Sequence, residues 1–251
     1  MKRVLITGAS DGIGFEVAQL LAKKGYSITP VARSQEKLKK LVESLPGTGH
    51  NFIVADLSVI TDLNKVVEII STHQYDVLIN NAGVGKYGEF ASLDLNEQIR
   101  TIELNINAVV TLSYHFLQRS KPGDAIINTG SMLGISSLPG AAVYAATKAF
   151  VTNFSESLWY EAKRKGVFVT GFNPGPAKTE FHSRAGGSNA SFPSLIMITQ
   201  EQVAKEMIKV LERRNKPRTV PGALIRFLLF SQRLIGRKPV VLIMSRFSPK
   251  L

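Results

Sequence analysis

The chain has 251 residues, 44% of them hydrophobic, and carries a formal charge of +12 with no cysteine. That length and apolar content allow one large α/β domain or two small ones and exclude global disorder. Without cysteine there are no disulfides, thiolate metal sites or cysteine nucleophiles, which fits a reducing compartment.

Arg3 to Thr7 holds an apolar run of only three residues before Gly8, too short for a signal-peptide core, and reads as a first strand. Thr7-Gly8-Ala9-Ser10-Asp11-Gly12-Ile13-Gly14 follows, after which Val17, Leu20 and Leu21 recur with helical period. Strand, glycine turn and helix in that order let the backbone approach a pyrophosphate, whose charge would be met by amide N–H groups and the positive helix end. A purely structural turn is the other reading. Ser27 to Ala32 is the second strand. At its end Ala32 stands where an acid would take adenosine ribose hydroxyls, and Arg33 offers a guanidinium fork to a 2′-phosphate. That favours NADP(H), with NAD(H) the lesser option; against it, Arg33 also reads as a solvated charge, and Asp11 sits where a base would have helped.

A helix is expected from Gln35 to Leu45, a third strand from Asn51 to Ala55 ending in Asp56-Leu57, a helix from Thr61 to about Ser71, and a strand from Val77 to Ile79. This alternation implies right-handed crossovers and a parallel sheet. In Asn80-Asn81-Ala82-Gly83 the paired asparagines either bridge strands through their amides or form a turn. One long helix is expected from Leu95 to Gln118, with Asn105 and Asn107 inside it; asparagine is mildly unfavourable there, so one has a polar partner or both lie on the surface.

Strand Ala125 to Thr129 brings Gly130-Ser131 to the sheet's carboxyl edge, where ligands of open parallel sheets sit. Tyr144 follows Ser131 by thirteen residues, and Tyr144 and Lys148 share one face of a helix expected from Ala142 to about Lys165. In a dry site the lysine would favour the tyrosinate. Moving a phenol from about 10 towards 7 takes roughly 4 kcal/mol, so an exposed lysine would not suffice, and in isolation such a pair also occurs on ordinary solvated helices. Strand Phe168 to Phe172 leads into Asn173-Pro174-Gly175-Pro176. The stretch from about 176 to 198 is polar, with Phe181 and Phe192 as apolar points, and reads as a substrate lid before a helix whose cap is Thr199 to Gln202. Arg218 to Val220 supplies a last strand. His50, His73, His115 and His182 show no ligand spacing, so they read as surface or core residues and no metal is expected.

Taken together, the glycine turn, Asp56-Leu57, Asn80-Asn81-Ala82-Gly83, Asn105, Ser131, Tyr144 with Lys148, and Asn173-Pro174-Gly175 resemble the short-chain dehydrogenase/reductases over residues 1 to 222. The resemblance implies one α/β domain with a Rossmann-type doubly wound parallel sheet of about seven strands, helices on both faces, and NAD(P)(H) along its carboxyl edge. It implies that Tyr144 exchanges the proton with a carbonyl or alcohol, that Lys148 lowers its pKa and holds the nicotinamide ribose, that Ser131 orients the substrate oxygen, and that Asn105 positions a relay water. Asp56 would meet the adenine, while Pro174, Gly175 and Thr179 would hold the nicotinamide end. Departures are Thr129-Gly130 before the serine and the last thirty residues.

The reading that follows is an NADPH-dependent reductase of a hydrophobic ketone or 3-oxoacyl compound, in the cytoplasm, as a homodimer or higher homo-oligomer built on the two long helices. The competing reading is an NADP(H)-binding regulatory protein with little turnover, against which the intact Ser131, Tyr144 and Lys148 stand. After Glu212 there are ten lysines and arginines and no acid. That tail carries no regularly spaced stacking aromatics and no reader motif, so no nucleic-acid partner is expected. Residues 223–251 read as a basic amphipathic extension, either buried on the domain or a partner with its arginines in water, which is the favoured option, or lying on an anionic membrane surface.

Overall fold

Alternation along each central strand divides its side chains between two cores. In β1 (Arg3–Thr7), Val4 and Ile6 face one side and Leu5 the other; β4 (Val77–Asn80) sends Val77 and Ile79 to the first side and Leu78 to the second. β5 (Ala125–Thr129) repeats this with Ala125 and Ile127 against Ile126. All are fully buried, so both faces must be covered.

The computed structural model describes residues 1–187 and 194–248. With β2 (Ser27–Ala32), β3 (Ile53–Val54), β6 (Phe168–Phe172) and β9 (Arg218–Thr219), these strands form a seven-stranded parallel sheet in the order β3-β2-β1-β4-β5-β6-β9. The first side is covered by α1 (Gly12–Lys23), α2 (Gln35–Ser44) and α8 (Gln200–Arg213). The second is covered by α3 (Ile60–Thr72), α5 (Ala108–Arg119) and α6 (Ala142–Lys163). This is the expected doubly wound sheet with helices on both faces. β3 is shorter than expected because it is an edge strand that pairs only with β2.

The helix expected from Leu95 to Gln118 is interrupted. α4 (Leu95–Ile102) passes into a π-helical turn over Glu103–Asn107 before α5 begins. Asn105, fully buried, turns its amide out of the helix: Val84 N donates to its Oδ1 at 3.0 Å, and its Nδ2 donates to Val84 O at 2.8 Å and Thr147 Oγ1 at 3.0 Å. A wider turn is a common device where a helix serves a site.

Of the stretch expected to form a lid, β7 (Ala177–Lys178), α7 (Phe181–Arg184) and β8 (Ile198–Thr199) are described, while Phe192 lies outside the described residues. The tail forms α9 (Ala223–Ser231) and α10 (Arg237–Ser245). Among its described apolar residues from 223 on, burial holds for Ile225, Leu229, Val240 and Met244, because helical period turns one residue in about four inward; the run Val240 to Met244 is not buried throughout.

Asn80 and Asn128 face the second side among apolar neighbours. Asn80 Nδ2 donates to Asn128 Oδ1 at 2.8 Å and Ser113 Oγ at 3.1 Å, and Asn128 Nδ2 donates to Ser155 Oγ at 3.0 Å. Buried amides and hydroxyls thus tie α5, two strands and α6 together. Asn128→Ala strands polar partners in a dry place, at about 2–3 kcal/mol; calorimetry should show a melting point lower by about 4–12 °C, and an unchanged one would remove the network from the account of stability.

Candidate active site

Strand order reverses between β1 and β4, which opens a crevice at their carboxyl ends. A cavity of about 790 Å³ occupies it, running from Arg33 and Asp56 past the glycine turn to Ser131, Tyr144 and Lys148, a size suited to a small-molecule ligand.

The turn after β1 is pressed against the turn after β4. Asn81 and Ala82 donate their N–H groups to Thr7 Oγ1 at 3.0 Å, and Asn81 Nδ2 reaches Thr7 O and Gly8 O at 3.1 and 3.2 Å. A Cβ on Gly14 would come within 2.5 Å of Gly8 O and 2.6 Å of Asn81 Nδ2. Gly8, Ser10, Asp11, Gly12 and Ile13 line the cavity, as do Asn81, Ala82 and Gly83; Gly14 and Asn80 stand behind its wall and hold those turns in place. Gly12, at φ +60°, would direct a Cβ into space where Thr179 Cγ2, at 3.7 Å, is the nearest side-chain atom. That open cradle at a helix N-terminus fits a dinucleotide pyrophosphate. Asp11 caps α1 by accepting from Gly12 N at 2.8 Å, pairs with Arg184 of α7, and lies 3.8 Å from Lys37 Nζ. Burial pushes its carboxyl up, but the Arg184 and Gly12 hydrogen bonds outweigh it and hold it below the usual range.

At the other flank, Asp56 accepts from Ser58 Oγ at 2.6 Å and Arg100 Nη2 at 2.5 Å, with Arg33 Nη1 at 3.8 Å. Burial raises this carboxyl and the Ser58 and Arg100 hydrogen bonds lower it further than that. Leu57 forms the adjoining wall. Arg33, Lys37 and Arg100 therefore gather three cations where a 2′-phosphate would be recognised. Lys37 comes from the first turn of α2, just beyond its cap Ser34, and Arg100 comes from another element and leaves no local signal.

At the reacting end Ser131, Tyr144 and Lys148 are 8%, 7% and 4% exposed and share the cavity wall with Pro174, Gly175 and Thr179. The Ser131 hydroxyl acts on the Tyr144 phenol and lowers its pKa, against burial. Lys148 Nζ donates to Thr129 O at 2.7 Å and lies 5.9 Å from the Tyr144 ring centroid. Asn105 is fully buried beneath, its Oδ1 and Lys148 Nζ flanking Gly83 at 3.3 and 3.1 Å from where a Cβ would stand. The expected tyrosinate bias is absent from the protein alone. Burial pushes Tyr144 up to about 12, with the Ser131 hydrogen bond acting in the opposite sense, and pulls Lys148 down to about 8. The amine's contact is a carbonyl, not the phenolate oxygen, so desolvation dominates both groups.

Two residues of this wall were missed. Tyr87 is 2% exposed and its hydroxyl lies 3.1 Å from His182 Nδ1, the rings stacked at 6.1 Å. His182, expected to be a surface or core residue, is buried and also lines the cavity, and burial lowers its pKa. Phe181 packs on Tyr144 with centroids 5.2 Å apart. Their sequence neighbours carry no motif, so only folding reveals them.

Residues 2–188 match the family described as short chain dehydrogenase. The chain belongs to that family. Among similar short chain dehydrogenases, sulfoacetaldehyde reductase 2 of Chromohalobacter salexigens is 33% identical over 83% of this chain and 86% of its own. The very-long-chain 3-oxoacyl-CoA reductase-A of Danio rerio is 35% identical over 69% of this chain. The chain spans 57% of that relative's length, and 54% of an uncharacterized oxidoreductase of Bacillus subtilis. A solved short-chain dehydrogenase from Sphingobium yanoikuyae in complex with NADPH matches at TM-score 0.84 and 30% identity, covering 93% of both chains.

For this short chain dehydrogenase, a lysine near 8 is directly observable. With ¹³Cε-labelled lysine, the free protein should show one resonance titrating near pH 8, positively charged below and neutral above, and Lys148→Met should delete it. A lysine set titrating only near 10 would contradict the desolvated site.

Proposed function

We propose that this protein reduces a carbonyl compound to a secondary alcohol with NADPH, Tyr144 serving as proton donor. What carries the reading is the convergence of Ser131, Tyr144 and Lys148 on one end of a cavity whose other end gathers Arg33, Lys37 and Arg100. The glycine turn with the N-terminus of α1 would hold the pyrophosphate, Arg33 and Lys37 the 2′-phosphate, and Lys148 with Pro174, Gly175 and Thr179 the nicotinamide end. A bound NADPH supplies the hydride that adds to the carbonyl carbon.

The chain's residues supply the rest. Ser131 Oγ, near the phenol, donates to the carbonyl oxygen and orients it. Tyr144, pushed up to about 12, is protonated throughout the neutral range, and its Oη gives that proton to the same oxygen as the C–O bond becomes single. Lys148, buried in the same wall, then favours the tyrosinate by its charge. That charge is lost as pH rises through about 8, so reduction should be level below this value and fall above it. Met132, Leu133, Tyr87 and Phe181 make the wall beside Tyr144 apolar, which supports a hydrophobic ketone or 3-oxoacyl substrate, as does the likeness to a 3-oxoacyl-CoA reductase. Tyr114, Phe150 and Tyr160, exposed on α5 and α6, support a homodimer, for which sedimentation at micromolar concentration is the check.

Two substitutions test this. Tyr144→Phe removes only the transferable proton and should abolish reduction across a panel of ketones while NADPH still binds; retention of more than about a tenth of the rate would dismiss Tyr144 as the acid. Arg33→Ala should weaken NADPH by about tenfold to a hundredfold, the worth of a charge-assisted hydrogen bond, and leave NADH nearly unchanged. Equal loss for both cofactors would be incompatible with the 2′-phosphate role.

A further inference from the structure

α9 and α10 bury one narrow stripe each. Ile225 and Leu229, and Val240 and Met244, point inward at four-residue spacing and seat the helices on the cluster that contains Tyr144, Leu138 and Ala141. The other faces stay apolar. Phe227 is 65% exposed, Phe230 58% and Leu242 59%, with Leu228 and Ile243 also exposed beside them, and Leu234 in the connection between the two helices is 75% exposed. A helix apolar nearly all round is normally enclosed by protein or by lipid, and soluble monomers rarely gather so many large apolar side chains outside.

Charge decides between a second copy and a membrane. Arg226, Arg233, Arg237, Lys238 and Arg246 stand exposed among these apolar residues, and no acidic residue follows Glu212. A two-fold contact would bring the patch against itself, cations facing cations without a carboxylate from this segment, which is costly. An anionic bilayer answers both features, since its acyl boundary accepts phenylalanine and leucine while its phosphates accept the cations. Spanning is not at issue: each helix has nine residues, about 14 Å against a hydrocarbon core of about 30 Å, and no described helix is long and apolar enough to cross a membrane.

We propose that α9 and α10 lie in the interface of an anionic lipid bilayer, with Phe227, Phe230, Leu234 and Leu242 inserted and the interleaved arginines and lysine at the lipid phosphates. Ile225 also closes the space beside Gly175, where a Cβ would meet its Cδ1 at 2.2 Å, so the docked helices adjoin the reacting end of the cavity. A lipid-dissolved carbonyl compound would then arrive near Tyr144, a consequence that rests on the proposed reductase activity, whereas the docking itself does not.

Deleting the tail would strip Ile225, Leu229, Val240 and Met244 from the Tyr144 cluster, so the test uses the full chain and exposed positions. In flotation at low salt, the protein should rise with vesicles of equal parts phosphatidylglycerol and phosphatidylcholine, remain behind with phosphatidylcholine alone, and be released at high salt. Arg233→Ala with Lys238→Ala should lower partitioning about 25-fold, at about fivefold per cation. Phe227→Ser with Leu234→Ser should abolish flotation at an unchanged melting point, and Tyr144→Phe should float like the parent even where it no longer reduces ketones. No flotation at low salt, equal flotation on neutral vesicles, or survival of flotation in the Phe227→Ser, Leu234→Ser protein would overturn the proposal. So would an oligomer that these two substitutions dissociate in the absence of any vesicle binding.

Discussion

One buried amide oxygen sets the relation between the strand end that carries Ser131 and the helix that carries Tyr144. Asn173 Oδ1 accepts from Ser131 N at 3.1 Å and from Thr152 Oγ1 at 2.8 Å, while Asn173 N donates to Thr219 O at 2.8 Å. The end of β5 and the helix that carries Tyr144 are referred to this fully buried side chain, and the edge strand β9 to the main chain of the same residue. Close packing makes the reference rigid: a Cβ on Gly130 would fall 1.9 Å from Asn173 Oδ1, and one on Gly134 would fall 2.4 Å from Lys148 O. Preorganised donors are worth most where nothing needs to reorganise during reaction, and the serine and the tyrosine helix have little freedom to do so.

The same tightness sets the electrostatics. Tyr144 and Lys148 are both withdrawn from water, and burial moves a phenol and an amine in opposite directions, each towards its neutral form. Their proximity alone therefore does not make a tyrosinate. The chain's charge is spent differently at the far end of the cavity, where Arg100 and Ser58 grip Asp56 and Arg184 and Lys37 meet Asp11, leaving two carboxylates ionised and cations arrayed beside them.

Much of this was legible from residue order. Short continuous apolar runs, glycines at 8, 12 and 14, and the succession from Asn80 to Gly83 through Ser131 to Tyr144 and Lys148 specify a sheet edge and the loops upon it, because each motif marks a local backbone need. What escaped depends on contacts between distant segments. Arg100 meets Asp56 across 44 positions and Tyr87 meets His182 across 95, and no local period encodes such pairs. The tail was legible in part: Ile225, Leu229, Val240 and Met244 pack on the domain and its arginines are exposed, but on a helix composition does not say how many faces the protein itself covers.

The π-helical turn at Glu103–Asn107 bears on which changes of chain length this protein tolerates. A π-helical turn holds one more residue than the α-helical turn it replaces, so α5 keeps Val109, Leu112 and Phe116 buried while Asn105 is turned towards Val84 and Thr147. Loss of a single residue between 103 and 107 would return the turn to α-helical geometry with α5 still in phase, and its cost would fall on the bonds of Asn105. A residue gained or lost within α5 itself has no such slack and turns every later side chain by about 100° off the sheet. Indels along this segment are thus graded by helical phase, and the π-helical turn is where one residue can be absorbed.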